Sequence, residues 1–293
     1  MGGQKGTDAR MERKRRSNNM KKILSLALAL ATTLTLTACS SSSDSSNSNT
    51  ATATAATSGS ASSEQKVWRV GTEGTYAPYS YHDENGNLTG FEIDVARAIS
   101  EKIGYQVEFV ESNWDSLFEG LAAGQFDAVM NQVTITPERQ EKYAFSTPYV
   151  YTAPALIVAA DNDEIKTFAD VAGHKAAEGL TSNYNQIAQS YGAEIVGQDV
   201  VALAFQCVID GTADLVINDR LTYAYWTSQT GDTTSLKIAD TLDDVSSSAV
   251  VMLPDRNDDL LEQVNAAIEE LLADGTIAQI SQTYFNTDVS TVG

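Results

Sequence analysis

Apolar positions along residues 66–287 recur in two rhythms, and the rhythm usually changes at a glycine. Val67–Thr72 alternates with a period of two, which predicts a half-buried strand. Tyr81–Gly90 is turn-rich and holds Asn85-Gly86, a hairpin signal. Phe91, Val95, Ile99 and Ile103 then repeat every four residues, so Glu92–Ile103 reads as an amphipathic helix stopped by Gly104. Gln106–Val110 is a further strand. Asp115–Ala123 is a helix stopped by Gly124, with Leu117, Phe118 and Leu121 on its apolar face, and Phe126–Met130 is a buried strand. Strand, helix, strand, helix, strand implies a parallel α/β sheet.

The run Asn131–Tyr149 follows that third strand. Thr136 is placed to cap a helix, and Pro137 suits the first helical position, where its missing N–H costs nothing. Arg139 then falls in the first helical turn. A cation there is unfavourable by about 0.3–1 kcal/mol unless an anion sits beside it. Free N–H groups and a guanidinium at one point make a carboxylate or phosphate site. The plainer alternative pairs Arg139 with a structural acid.

Ala153–Ala160 reads as an extended crossover into a second set of elements. These are a strand near Ala176, a helix Asn183–Tyr191, a strand Glu194–Val196, a helix near Val200–Asp210, a strand Leu215–Asn218 and a helix Leu221–Thr230. Ser247–Leu253 reads as the return crossover, and helices Asp258–Asp274 and Thr276–Phe285, split by Gly275, pack back on the first set. The stretch Gly124–Asn131 echoes Gly211–Asn218: glycine, turn, Asp, apolar strand, Asn. Ligands of parallel α/β sheets sit beyond the carboxyl ends of strands. Two such ends in one register therefore predict two similar lobes facing each other.

The amino terminus reads differently. Met20-Lys21-Lys22, the apolar run Ile23–Thr37 and small residues before Cys39 describe a secretory signal over 20–38. Its Leu-Thr-Ala-Cys ending resembles a bacterial lipobox, which implies cleavage before Cys39 and a lipid on its sulfur; the alternative is an ordinary secreted protein with an incidental cysteine. Residues 1–19 are basic and patternless, an extension of unknown origin. Residues 39–65 join Cys39 to a Ser/Thr/Ala-rich tether that cannot bury enough apolar surface to fold; as a coil it spans about 25–30 Å. The chain of 293 residues holds 8 Lys/Arg and 2 Asp/Glu in residues 1–38, so the remainder keeps 11 basic and 37 acidic residues, a net of −26. That surface excludes a nucleic-acid partner. Cys207 reads as a small core residue, and His82 and His174 are isolated, so no metal or cofactor is expected.

Taken together, GTEGTYAPYSY (Gly71–Tyr81), GFEIDVARAI (Gly90–Ile99), NWDSLFEGLAAGQFDAV (Asn113–Val129), the Asn131–Tyr149 run, LTSNY (Leu180–Tyr184), INDRL (Ile217–Leu221) and ADGTIAQISQTYF (Ala273–Phe285) resemble the family 3 extracellular solute-binding proteins that feed amino-acid ABC importers. The resemblance implies a two-lobed α/β periplasmic-binding-protein-like fold of type II with two hinge strands, lobe 1 being 66–154 and 250–293 and lobe 2 being 155–249. It implies a monomer that acts outside the cytoplasm, anchored at the outer face of the membrane through the lipid on Cys39 and partnered by ABC permease subunits. By resemblance Arg139 binds the carboxylate of an amino acid and Asp219 its ammonium. Thr134 supplies a hydroxyl, Gln132 a backbone contact to the ammonium, and Asn131 a further ligand contact. Ser182 and Asn183 present N–H donors to the carboxylate, Thr181 is a further ligand contact, Tyr76 and Trp114 form walls, and Glu73 adds an acidic contact. Asp219 has a plainer role open to it, pairing with Arg220 or capping the helix at Leu221. The runs NQVTIT, FSTPY and SNY resemble the cystine-binding branch, with Gln132, Glu178 or Tyr184 meeting the far end of a long ligand. Other ligands such as glutamine or histidine are the alternative, as is a periplasmic dehydratase on the same fold; no catalysis is expected.

Overall fold

The computed structural model describes residues 65–256 and 258–291. The extension 1–19, the signal 20–38, Cys39 and the tether up to residue 64 lie outside the described residues. The chain runs through β1 (Val67–Thr72), a small antiparallel flap of β2 (Thr75–Tyr76), β3 (Ser80–His82) and β4 (Leu88–Thr89), helix α1 (Phe91–Ile103), β5 (Gln106–Glu111), α2 (Trp114–Ala122), β6 (Ala128–Val129), the single turn α3 (Pro137–Gln140) and β7 (Ala144–Phe145). After β8 (Val150–Thr152) come β9 (Pro154–Ala159), β10 (Lys175–Glu178), α4 (Asn183–Ser190), β11 (Glu194–Gly197), α5 (Val201–Ile209), β12 (Leu215–Asp219), α6 (Arg220–Thr230) and β13 (Leu236–Thr241). The chain returns through β14 (Ser246–Ser248) to β15 (Val251–Met252), α7 (Leu260–Ala273) and α8 (Thr276–Phe285).

These strands form two five-stranded sheets of one plan, β5-β1-β6-β15-β7 and β11-β10-β12-β9-β13. In each, three parallel strands meet an antiparallel strand carrying the chain from or back to the other lobe. Alternation along β1 decides what lies on each face of the first sheet. Trp68 and Val70 face a core shared with Phe91, Ile99 and Ile268. Gly71 faces the opposite core, where Phe126 packs so close that a Cβ on Gly71 would stand 2.6 Å from its ring.

The sequence echo is a structural repeat. Gly124 and Gly211 both take left-handed backbone, with φ of 70° and 72°, which glycine adopts without a steric penalty. The Asp that follows each turn then clamps the start of the neighbouring strand. Asp127 accepts the N–H of Arg69 at 2.9 Å, and Asp214 accepts that of Lys175 at 2.8 Å.

One expected crossover sits elsewhere, and the other is met at Ser247–Ser248 only. Pro154–Ala159 is not the passage between lobes but an interior strand of the second sheet, antiparallel to β12 and β13. The passage is β8, paired with β14, and the Val251–Met252 end of the second apolar run already belongs to the first sheet. A continuous apolar run reports burial on both faces and not which sheet supplies it.

Candidate functional site

The carboxyl ends of β1 and β6 in one lobe face those of β10 and β12 in the other. Between them lies a cleft whose empty space, open mouth included, is about 540 Å³. From the first lobe it is lined by Glu73, Tyr76, Trp114, Asn131 and Gln132. Ser182 and Asn183 face them from the start of α4, with Glu178, Tyr184, Asp199 and Asn218 beside them. Nine of the residues expected from the sequence, Glu178 and Tyr184 among them, therefore share one cleft. Asn218 and Asp199 were not singled out by the sequence; Asn218 had a signal, as the echo partner of Asn131.

Arg139, Thr134, Thr181 and Asp219 stand just outside that lining. Thr136 caps α3 as expected, accepting from Arg139 N at 3.2 Å. However, α3 is only four residues long, too few aligned peptides for an appreciable helix dipole. The charge at this point comes from the guanidinium itself. It stacks at 5.3 Å from the Trp114 ring and 5.5 Å from Phe118, and donates to the Thr134 carbonyl at 3.0 Å. No acid among the described residues pairs with it within 4.0 Å; its sequence neighbour Glu138 bonds Lys142 and Gln186 instead. Burial pulls the Arg139 guanidinium down to about 10. It stays charged at neutral pH, poised behind Trp114 with most of its donors free of protein acceptors.

Thr181 sits on the rim, where its hydroxyl donates to Asp115 of the other lobe at 2.5 Å. Ser182 caps α4, accepting from Tyr184 N at 3.1 Å. Tyr184, expected at the far end of a long ligand, both packs and lines the cleft: it is 6% exposed and belongs to a second-lobe core.

Asp219 is fully buried behind the cleft wall. One oxygen accepts from Leu221 N at 2.6 Å and Thr152 Oγ1 at 2.8 Å; the other accepts from Tyr79 OH at 2.7 Å and Gln132 Nε2 at 3.2 Å. It caps α6, as its plainer alternative held. It also ties the first lobe and the hinge to the second. Burial raises its carboxyl although all four donors favour the anion.

Gln132 is the joint of this arrangement. Its backbone is left-handed at φ 54°, a cost of about 1–2 kcal/mol for a side-chain-bearing residue. Its N–H is held by buried Glu92 at 3.2 Å, and its side chain reaches Asp219. Glu73 accepts from Asn131 Nδ2 at 2.5 Å. Burial, with some repulsion from Asp199 and Asp115, pushes its carboxyl up to about 7. Burial also raises the Glu178 carboxyl well above the usual carboxylate range.

Residues 68–287 match the model of the bacterial extracellular solute-binding proteins, family 3. The L-cystine-binding protein of Bacillus subtilis (strain 168) is 38% identical over 232 residues, which cover 78% of this chain and 85% of the relative. An ancestral arginine-binding protein bound to arginine superposes with a TM-score of 0.70 at 34% identity, over 75% of this chain and 99% of the other. The L-cystine solute receptor of Neisseria gonorrhoeae, in its unliganded open conformation, is 38% identical with a TM-score of 0.54, over 78% and 96%. Superposition is thus better on the ligand-bound relative than on the open one, in keeping with the bonds that already cross the cleft here.

Proposed function

The chain belongs to the family 3 bacterial extracellular solute-binding proteins, and on that footing we propose that the amino acid it gathers for an ABC importer is L-cystine. As a member of that family it acts outside the cytoplasm, with a small amino-acid ligand and a transporter as partners. The observation that carries the ligand class is Arg139, a half-buried guanidinium without an acidic partner among the described residues, set behind the Trp114 wall opposite the capped start of α4. A free α-carboxylate fits that corner, because charge-assisted bonds of this kind contribute about 1.5–3 kcal/mol each when shielded from water. The α-ammonium goes to Asp219, displacing the Gln132 amide, whose 3.2 Å bond is the longest of the four. Thr134 and the N–H groups of Thr181, Ser182 and Asn183 complete the carboxylate end. Tyr76 and Trp114 enclose the side chain, and Asn131 and Glu73 border it. The cystine assignment is supported by the Asn131–Thr136 run and by the relatives named for L-cystine. Anchoring through lipid on Cys39 is part of the same proposal, and Cys39→Ala is expected to release the protein into the medium.

Titration calorimetry of the purified protein tests the ligand. L-Cystine is expected to bind in the micromolar range or tighter, and Arg139→Ala to weaken it about 100-fold. Glutamine or histidine binding far above cystine would transfer the assignment to that amino acid. The raised Glu73 carboxyl favours a second reading, a dehydratase in which Glu73 and Glu178 act as acid and base. Turnover of prephenate or arogenate would establish it; the acid-lined wall works against the second carboxylate of prephenate.

A further inference from the structure

The second-lobe wall of the cleft contains a carboxylate that the proposed binding of the α-amino acid end does not use. Glu178 closes β10 and is 3% exposed. One of its oxygens accepts the N–H of Ile217 at 2.6 Å. The other has no hydrogen-bond partner among the described residues, and the residue lines the cleft. A buried carboxylate in that condition is costly unless a proton or a cation neutralises it.

Two more acids share the space. Asp199 lies beside the main chain that follows Glu178, with Oδ1 3.8 Å from the position of a Cβ on Gly179. Glu73 approaches from the first lobe with one oxygen on Asn131. No Lys, Arg or His lines the cleft. Acids from both lobes therefore converge with nothing cationic among them. The amide groups nearby are also informative. Asn218 uses Oδ1 to accept from Tyr76 OH, and Gln198 uses Oε1 to accept from Val200 N. The NH₂ groups of both amides donate to no described residue, and both residues line the cleft.

We propose that the far end of the cleft is a second cation subsite, built on Glu178 with Asp199 and Glu73, so that the ligand carries a second ammonium or guanidinium beyond its α-amino group. The inference rests on the amino-acid reading above and narrows it. L-Cystine meets it with its second ammonium, and its second carboxylate then faces the free NH₂ groups of Asn218 and Gln198. Lysine and arginine meet it without that carboxylate. Glutamine, neutral at its far end, does not meet it.

The test is calorimetry with ligands that differ only at the far end. These are L-cystine, the mixed disulfide of cysteine with cysteamine, which keeps the second ammonium, and the mixed disulfide of cysteine with 3-mercaptopropionate, which keeps only the second carboxylate. Lysine, arginine and glutamine are run beside them. Cystine and the cysteamine disulfide are expected to bind within about tenfold of each other, and the mercaptopropionate disulfide about 100-fold more weakly. Glu178→Gln keeps an acceptor for the Ile217 N–H, and is expected to shrink that gap to tenfold or less. Asp199→Asn, at an exposed position, is expected to shrink it in the same direction. Equal binding of the two mixed disulfides, glutamine binding as tightly as cystine, or a gap untouched in both variants would each overturn the subsite. If no amino acid in the set binds the folded protein, the amino-acid reading itself falls and takes the subsite with it. Lysine or arginine binding above cystine would uphold the subsite and identify a dibasic amino acid as its source.

Discussion

At the scale of single residues, buried carboxylates near the hinge of the cleft are held for position. Glu92 is fully buried, accepts from Tyr149 OH at 2.5 Å and holds the strained Gln132 through its N–H. Burial pushes its carboxyl up to about 7 from an ordinary 4.5. The folded state therefore binds a proton more readily than the unfolded chain. The stability this confers is full below about pH 4.5 and is lost as pH rises through about 7. Glu92→Gln keeps an acceptor for the Gln132 N–H and sets its NH₂ against the Tyr149 oxygen, which then accepts instead of donating. The expected outcome in urea unfolding at pH 5 and pH 8 is a fall in stability for the parent chain that is smaller in the variant, by on the order of 2–3 kcal/mol. The raised Glu73, Glu178 and Asp219 remain in both proteins, so the difference isolates Glu92. Arg139 was legible from the sequence because its signal is local: a cap, a proline and a charge within four positions. The satisfied state of Asp219 was not, since its side-chain donors Tyr79, Gln132 and Thr152 lie 140, 87 and 67 residues away.

At the scale of elements, the repeated unit of helix, left-handed glycine, clamping Asp and strand sets where the polar strand ends emerge, and period and glycine spacing made it readable. The misplaced first crossover marks the limit of that reading. Ala153–Ala160 has one apolar rhythm throughout, and only pairing partners distinguish a hinge from an interior strand. The unit also contains a packing constraint that periodicity cannot express. Phe126 turns its ring against Gly120 of α2, where an added Cβ would stand 2.6 Å away. Gly120→Ala gains helix propensity of about 1 kcal/mol but forces the ring to move. A net loss of about 1–3 kcal/mol is expected from overpacking. Gly104→Ala is the control. Its φ is 73° and no atom lies within 4 Å of the added carbon, so it should lose only about 1 kcal/mol through backbone conformation. Chemical denaturation of both variants checks the pair. A gain in stability for Gly120→Ala would mean that the Phe126 contact gives way freely.

At the scale of the whole molecule, closure depends on bonds that join the lobes at different depths. Near the hinge, Tyr79 and Gln132 reach Asp219, and Tyr76 OH reaches Asn218 at 3.2 Å. At the rim, Thr181 reaches Asp115 at 2.5 Å and Gln186 reaches Glu138 at 2.8 Å. The rim pairs are exposed, and each contributes about 0.5–1.5 kcal/mol. Neither side-chain pair belongs to the cleft lining, and Thr181→Val keeps the backbone N–H assigned to the ligand carboxylate, so the side chains removed make no direct contact with an amino acid held there. Their effect on affinity acts through the closed fraction alone, since apparent affinity scales with the population of the binding-competent state. The double variant Thr181→Val with Gln186→Ala is therefore expected to weaken cystine binding by about 5–100-fold. The loss should fall in the dissociation rate, because ligand enters the open form before the rim closes. The variant should also enlarge the radius of gyration in solution scattering before ligand is added, and recover the parent value at saturation. Unchanged affinity, or a loss confined to the association rate, would show that the rim pairs do not hold the lobes together. Closure would then rest on the Asp219 cluster and the ligand.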